Sequence, residues 1–300
     1  MASDVAGQPA DPPHASVVVP AYGRPDALGA CVDALLRLEP PEGGYEVVVV
    51  DDGSPEPLTL AEHSVVRLVR QPNAGPAAAR NHGARIARGR VLAFTDDDCR
   101  PAPDWLVRLI TSLESTPGAL VGGRTVNALT DNPFASASQA IIDHHYETYN
   151  RPGSDTVFFT SNNFVVSRER FQSLGGFDES FAGAAGEDRD FCDRWLAAGF
   201  PIRYVPDALV RHAHEMSAWG FVRQQFAYGR GAGRCRELRL RRGQARTTPK
   251  GESFYRMLAR RAFAKPLSGV PGRVFLFALS QLASALGYWS ERLGNRVAEM

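Results

Sequence analysis

No CxxC pair occurs, and the four cysteines, Cys31, Cys99, Cys192 and Cys235, stand far apart. That spacing argues against a zinc cluster or a disulfide framework and fits a reducing cytoplasm. Lysine is nearly absent, at Lys250 and Lys265 only. Nothing recurs at a fixed period, which excludes a repeat architecture. The most apolar run, "VFLFALSQLASALGYW", is sixteen residues long and contains Ser280, Gln281 and Ser284; a bilayer span needs ~20, so packing on a surface or in a groove is the expectation. Residues 1–14 lack both a basic start and an apolar h-region, and read as a loose terminus rather than a secretory signal. What remains, 300 residues with 44% apolar and 22% charged content, suits a soluble globular protein with one large or two small domains.

The net charge of +1 conceals an uneven distribution: from Arg223 to Arg273 there are fourteen Arg or Lys against Glu237 and Glu252. A solvated charged face is one reading of this basic tail. The other is a helix pair lying on an anionic membrane surface, with arginines beside Phe254, Tyr255, Phe263, Phe275 and Trp289, an arrangement that suits a lipid-linked acceptor. No RNA- or DNA-binding module accompanies the charge, so nucleic acid is not an expected partner.

Strands and helices alternate. "ASVVVPAYGRP" reads as a buried strand stopped by Pro20, and "DALGACVDALLRL" as a helix with Leu28, Cys31, Val32, Leu35 and Leu36 on one side. "YEVVVVDDGSPEP", "VVRLVRQ" and "RVLAFTDDD" read as further strands, with an Ala-rich helix over "AGPAAARNHGARIARG". Beyond residue 100, "PDWLVRLITSLES" is a helix opened by Pro103 and Asp104, "ALVGGRTVNAL" and "TVFFTSNNFVVSRERF" are strands, and "EDRDFCDRWLAAGF" is a helix ended by Gly199. "IRYVPDALVRHAH" is a last strand broken by Pro206, and 223–300 is helical and basic. This alternation predicts a largely parallel, two-sided α/β sheet whose polar ligands sit at the strands' carboxyl ends, where 51–52 and 96–98 face one crevice.

Asp96, Asp97 and Asp98 are adjacent. On a continued strand Asp96 and Asp98 point one way and Asp97 the other. Converging carboxylates repel unless a cation lies between them, and hard oxygen ligands suit Mg²⁺ or Mn²⁺ together with a diphosphate. An acidic, solvated strand end is the alternative for an isolated triplet.

"VVVPAYGRPDAL", "EVVVVDDGS", "QPNAGPAAARNHGARIARG", "VLAFTDDDCRPAPDWL", "GGFDESF", "GEDRDF" and "YVPDALVRH" occur in an order and spacing that resembles the inverting nucleotide-sugar glycosyltransferases of family 2. The resemblance covers roughly residues 15 to 230 and implies the GT-A fold: a Rossmann-like, mixed but mostly parallel sheet flanked by helices, here with a basic helical C-terminal extension. It divides the chain into a loose segment 1–14, a GT-A domain 15–222 with a nucleotide-binding half (15–100) and an acceptor half (101–222), and the basic region 223–300. A nucleotide-diphosphate sugar donor, a hydroxyl-bearing acceptor (a lipid-linked glycan or a small metabolite) and a divalent Mn²⁺ or Mg²⁺ are the partners it implies.

By the same resemblance Pro20, Tyr22, Arg24, Asp51, Asp52, Gly75, Arg80, Asn81, Asp96 and Asp97 contact the donor. Each has a plainer reading: Asp51 and Asp52 as an Asx turn, Arg80 as a salt bridge pinning its helix. Asp98 resembles the direct metal ligand and Asp96 a ribose and metal contact, with His212, or His214 two residues on, as a further ligand. Asp188 resembles the catalytic base, with Glu187 as its substitute; a helix N-terminus that favours acids accounts for both without catalysis. "GRGAGR" fails the dinucleotide pattern because Arg234 stands at its last Gly, so it is assigned to closing over phosphates or supporting the acceptor site. The competing functions are a sugar-nucleotide nucleotidyltransferase, whose phosphate signature "PAYGRPDAL" lacks, and a catalytically silent GT-A-like binding protein. A cytoplasmic enzyme, free or peripheral on the inner membrane face, is the expected setting, with substrate specificity in loops such as 127–155.

Overall fold

The valine runs form the centre of one sheet, eight-stranded among the described residues. The computed structural model describes residues 11–150, 158–181, 185–244, 256, 259, 260, 263 and 269–298. Residues 1–10 of the expected loose terminus, residues 156 and 157 of an expected strand, and Phe254 and Tyr255 of the basic tail lie outside the described residues. In the first half, β1 (Ala15–Ala21) pairs in parallel with β2 (Tyr45–Asp51) and β4 (Val91–Phe94), and β2 with β3 (Val66–Arg70). Val17, Val19, Val47 and Val49 pack with Leu28, Cys31 and Leu35 of α1 (Pro25–Leu35). Val18 packs with Ala77 and Ala84, and Val48 and Val50 with Ala79, all of α2 (Pro76–Ile86). The strand period of two thus feeds two helical layers, and runs buried on both faces are the result.

The second half inserts antiparallel strands. β5 (Cys99–Pro101) and α3 (Trp105–Ser115) are followed by β6 (Leu120–Asn127), α4 (Pro133–Tyr149), β7 (Phe164–Ser167), α5 (Arg168–Ser173), α6 (Glu187–Ala197) and β8 (Ile202–His212). β7 runs antiparallel to β4 and β6, β8 runs parallel to β6, and β5 lies antiparallel to β8 at the edge. Phe94, Phe164, Phe171, Phe177 and Phe191 form an aromatic cluster, with Phe164 and Phe191 stacked at 6.1 Å, and this cluster seats α6 on the sheet.

Four expectations change. β4 stops at Phe94, so Asp96 to Asp98 lie in the turn into β5 and do not alternate. The strand expected over "TVFFTSNNFVVSRERF" is only Phe164–Ser167, because Ser167 caps a helix at once through the Arg170 N–H. Pro206 does not break β8: the register against β6 jumps from Gly123↔Val205 to Arg124↔Leu209, which leaves 206–208 as a bulge where a missing N–H costs nothing. Gly123 makes room for it, since a Cβ there would lie 2.1 Å from the Ala208 carbonyl oxygen. The segment 127–155, expected as loop, contains the 17-residue helix α4.

The C-terminal region is a helix pair, α7 (Ala218–Arg241) and α8 (Val270–Ala298), and α7 begins five residues before the boundary expected at 223. The glycines of "GRGAGR" are packing devices. A Cβ on Gly229 would lie 2.0 Å from the Ser284 carbonyl oxygen of α8, and one on Gly231 would lie 2.4 Å from the Ala185 carbonyl oxygen just before α6. Gly231→Ala should therefore destabilise the protein by about 1–3 kcal/mol, seen as a lowered Tm, because backbone has to move. Gly272→Ala, with nothing within 4 Å of the added carbon, serves as the neutral control.

Candidate active site

The turn after β4 holds three acids, and an arginine reaches each of them, Arg80 at Asp96 and Arg24 shared by Asp97 and Asp98. Asp96 accepts from Arg80 Nη2 at 2.6 Å. Asp97, fully buried, accepts from the main-chain N–H of Tyr22 and pairs with Arg24 Nη2. Asp98 accepts from Arg24 Nη1 at 2.6 Å and from two imidazoles, His212 Nε2 on Oδ1 and His214 Nδ1 on Oδ2, both at 3.1 Å. The fold places these histidines by main-chain pairing: His212 is in register with Cys99, and the Ala213 N–H donates to the Asp98 carbonyl at 2.8 Å. Alternation then brings His212 and His214 to the same side, and both reach Asp98.

The electrostatics follow from these contacts. Burial raises the Asp98 pKa, but the two imidazole hydrogen bonds and Arg24 outweigh it and hold the carboxyl well below its usual range. Burial pushes Asp97 up to about 7 against the opposing pull of Arg24, with its neighbours Asp98 and Asp96 adding to the rise. Its Oδ2 has no hydrogen-bond partner among the described residues.

Asp98, His212 and His214 present one ligand atom each, all within 4.8 Å of one another. One carboxylate and two neutral imidazoles are a donor set that fits a divalent transition metal such as Mn²⁺. Asp96 is not in this set; its carboxylate is held by Arg80.

Arg80 joins the turn to α6. It is 3% exposed, and its Nη1 reaches Glu187 Oε1 at 3.1 Å while Nη2 holds Asp96. The salt bridge weighed for Arg80 is thus what the structure contains. Glu187 is buried and committed to Arg80. Asp188 is the freer acid: it accepts from the N–H groups of Arg189 and Ser161. Its pKa is raised to about 7, by burial first and by Glu187 second. Gly186, at φ +101°, starts α6 in the left-handed region and turns both acids inward.

Other residues expected at the donor also make scaffold contacts. Asp51 accepts from the N–H of Ser54 and Leu58 and from Arg70 Nη1, which keep its pKa lowered despite burial. Asp52 accepts from Gln71 Nε2 and the N–H groups of Ala74 and Gly75. Asp51 thus holds the loop between β2 and β3, and Asp52 the loop between β3 and α2, which ends at Gly75 with φ +90°. Asn81 donates to the Phe177 carbonyl and accepts from the Phe177 N–H, tying α2 to the loop before α6 rather than joining the acidic cluster. Pro20 is buried in β1 and Tyr22 is half exposed beside the turn.

A polar pocket beside the two histidines was not anticipated. Thr125, Asn127, Gln139, Asn162, Gln224 and Tyr228 contribute to its lining. Burial first, and then the negative charge of Asp188, Glu187, Asp96 and Asp98, raises the pKa of the Tyr228 phenol. The available signal was Tyr228 directly before Gly229 in "FAYGRGAGR", where the glycines bring α7 against the loop before α6.

A family model described as glycosyl transferase family 2 matches residues 16–175. The chain belongs to that family. A second model, the N-terminal domain of galactosyltransferase, matches residues 142–216, the part containing Asp188 and both histidines. Among curated relatives, a pre-mycofactocin glycosyltransferase of Mycobacterium tuberculosis is 33% identical over 230 residues, covering 74% of this chain and 47% of its own length. The glycosyltransferase AglE of Haloferax volcanii is 25% identical over 232 residues, covering 73% of each. The chain thus spans about half the length of the first and about three quarters of the second. The mannosyltransferase PcManGT of Pyrobaculum calidifontis, solved with GDP-Man and Mn²⁺, superposes with a TM-score of 0.57 at 21% identity, covering 100% of this chain and 84% of that one. The family membership and this superposition establish the GT-A fold.

Arg80 carries the connection between the two acidic groups. Arg80→Met should cost about 3–5 kcal/mol, because it leaves Asp96 and Glu187 without their cation in a buried setting. Chemical denaturation checks this, and a loss under about 1 kcal/mol would mean that the two ion pairs are not what joins α2 to α6.

Proposed function

We propose that this chain transfers a sugar from a nucleotide-diphosphate donor to an acceptor hydroxyl by a single displacement that inverts the anomeric carbon. The observation that carries the reading is Arg80, whose one guanidinium holds Asp96 of the acidic turn and Glu187 of α6 and so sets a cation site and a candidate base along one crevice. The motifs of family 2 fall on these residues, and the solved relative PcManGT was captured with GDP-Man and Mn²⁺.

In this reading Asp98, His212 and His214 hold the divalent cation, Mn²⁺ in preference to Mg²⁺ because imidazole nitrogens suit it better. When bound, that ion supplies positive charge against the leaving nucleoside diphosphate. Arg24, half exposed beside Asp97 and Asp98, adds a positive charge at the same turn. Asp96, the one acid of the turn with appreciable exposure, accepts from the donor ribose. Asp188 takes the acceptor proton: with its pKa near 7 it is ionised on the alkaline side of neutrality and still basic enough to accept. The pocket of Asn127, Gln139, Asn162 and Tyr228 gives a hydroxyl-bearing acceptor amide and phenol partners on the histidine side. All four cysteines are free and buried, which suits work in a reducing cytoplasm.

Asp188→Asn should lower kcat by about 10²- to 10⁴-fold while donor binding survives. In the unaltered enzyme kcat/KM should fall as the pH drops below about 7, since protonated Asp188 cannot accept a proton, and that limb should vanish in the variant. Near-normal turnover in Asp188→Asn would remove Asp188 as the base. His212→Ala and His214→Ala should each raise the Mn²⁺ concentration needed for half-maximal activity; an unchanged requirement in both would remove the histidines from the cation site.

A further inference from the structure

The face of α8 turned away from the protein is one continuous apolar stripe. Phe275, Leu282, Leu286, Trp289 and Leu293 recur at intervals of seven, four, three and four residues, and all are between 55% and 64% exposed. That spacing keeps them on one side of the helix. Exposed large side chains in such a row mark a contact surface rather than scattered surface apolarity. Val270–Gly294 is also long and apolar enough to cross a membrane by length and composition.

The opposite face decides how this helix can meet a membrane. Leu276, Phe277 and Ala283 are buried. A Cβ on Gly287 would lie 2.0 Å from the Phe226 carbonyl oxygen of α7, and one on Gly229 the same distance from the Ser284 carbonyl oxygen of α8. The two backbones therefore touch at two points. Arg230 also pairs with Glu291 at 2.9 Å. Crossing a bilayer would drag this ion pair and the polar face of α7 into hydrocarbon, or tear the helices apart; lying flat requires neither.

Charge selects the occupant. α7 and α8 together carry nine arginines and two glutamates, whereas residues 1–222 carry eighteen basic against twenty-nine acidic residues. A second copy docked face to face would bring together two helix pairs of the same net positive charge. An anionic bilayer attracts the helix pair and repels the body, which fixes the orientation as well as the contact. Arg292 lies over the rings of Tyr288 and Trp289, at 5.9 and 5.3 Å, and Trp219 and Arg223 stand one turn apart and exposed on α7. Such aromatic–arginine pairs belong at the boundary between headgroups and acyl chains.

We infer that α8 lies in the plane of an anionic membrane, with its Phe275–Leu293 stripe in the headgroup boundary and α7 between it and the acidic crevice. Gly231 packs on Ala185, next to the start of α6, so the membrane plane stands one helix layer from the base-bearing helix. An acceptor anchored in the bilayer is the class this geometry serves. The membrane contact itself does not depend on the glycosyl-transfer reading, and its test needs no substrate.

The test is sedimentation of the full chain with vesicles of phosphatidylcholine, alone or mixed with phosphatidylglycerol. We expect binding to the mixed vesicles, weakening with salt, and at least about tenfold weaker binding for the double variant Leu282→Ser, Leu286→Ser with an unchanged Tm. Depth separates the two membrane modes. Trp105 and Trp195 are wholly buried, so in a Trp219→Phe background Trp289 reports alone to brominated lipid. Moving the reporter by Leu282→Trp with Trp289→Phe should leave the quenching depth unchanged for a helix in the plane, whereas a spanning helix would shift it by about 10 Å. That shift, equal binding by the double variant, or no vesicle binding together with a dimer that the double variant dissolves would each overturn the inference.

Discussion

Three adjacent carboxylates in a water-poor turn can coexist only if cations reach each of them, and the rest of the site is arranged around that demand. Arg24 comes from the start of α1, Arg80 from the middle of α2, and His212 and His214 from the end of β8. They are delivered by three different segments, so the acidic turn gathers the first half and the second half of the sheet to one point. Arg80 extends the gathering to α6 through Glu187. The price of such an arrangement is that every member is needed: removing one cation leaves a buried acid uncompensated.

The same turn explains why a metal and not a further arginine fits the reading of the site. Asp98 already has both oxygens occupied by imidazole nitrogens, and those nitrogens, once deprotonated, are themselves ligands. The set can therefore exchange proton-mediated contacts for a divalent ion without moving an element. Arg24 and Arg80 lack that option because guanidinium does not deprotonate or coordinate.

Much of this was legible in the sequence. The valine runs, the α1 and α2 patterns, and the acids at 51–52, 96–98 and 187–188 stand where periodicity and motif order put them. The failures have physical causes. Alternation was assumed through Asp98, but β4 ends at Phe94 and the chain turns, so neighbours 97 and 98 share one arginine. His212 and His214 were weighed as alternatives because nothing local says that the Ala213 N–H will fasten them astride Asp98. Asp51, Asp52 and Asn81 match the donor motifs of the family, and what the sequence does not show is that their side chains also hold loops together, since only tertiary structure reveals such contacts. Tyr228 was missed because its importance comes from glycine contacts on the far side of α7.

The central claim is that the acidic turn seats a cation which a nucleotide diphosphate shares. Calorimetric titration of GDP and UDP into the full chain, with Mn²⁺ and then with the metal chelated, tests it most directly. At least one nucleotide should bind tenfold or more tightly with Mn²⁺, about 1.4 kcal/mol, and Asp98→Asn should abolish the difference. Equal affinity with and without the metal for both nucleotides would contradict it.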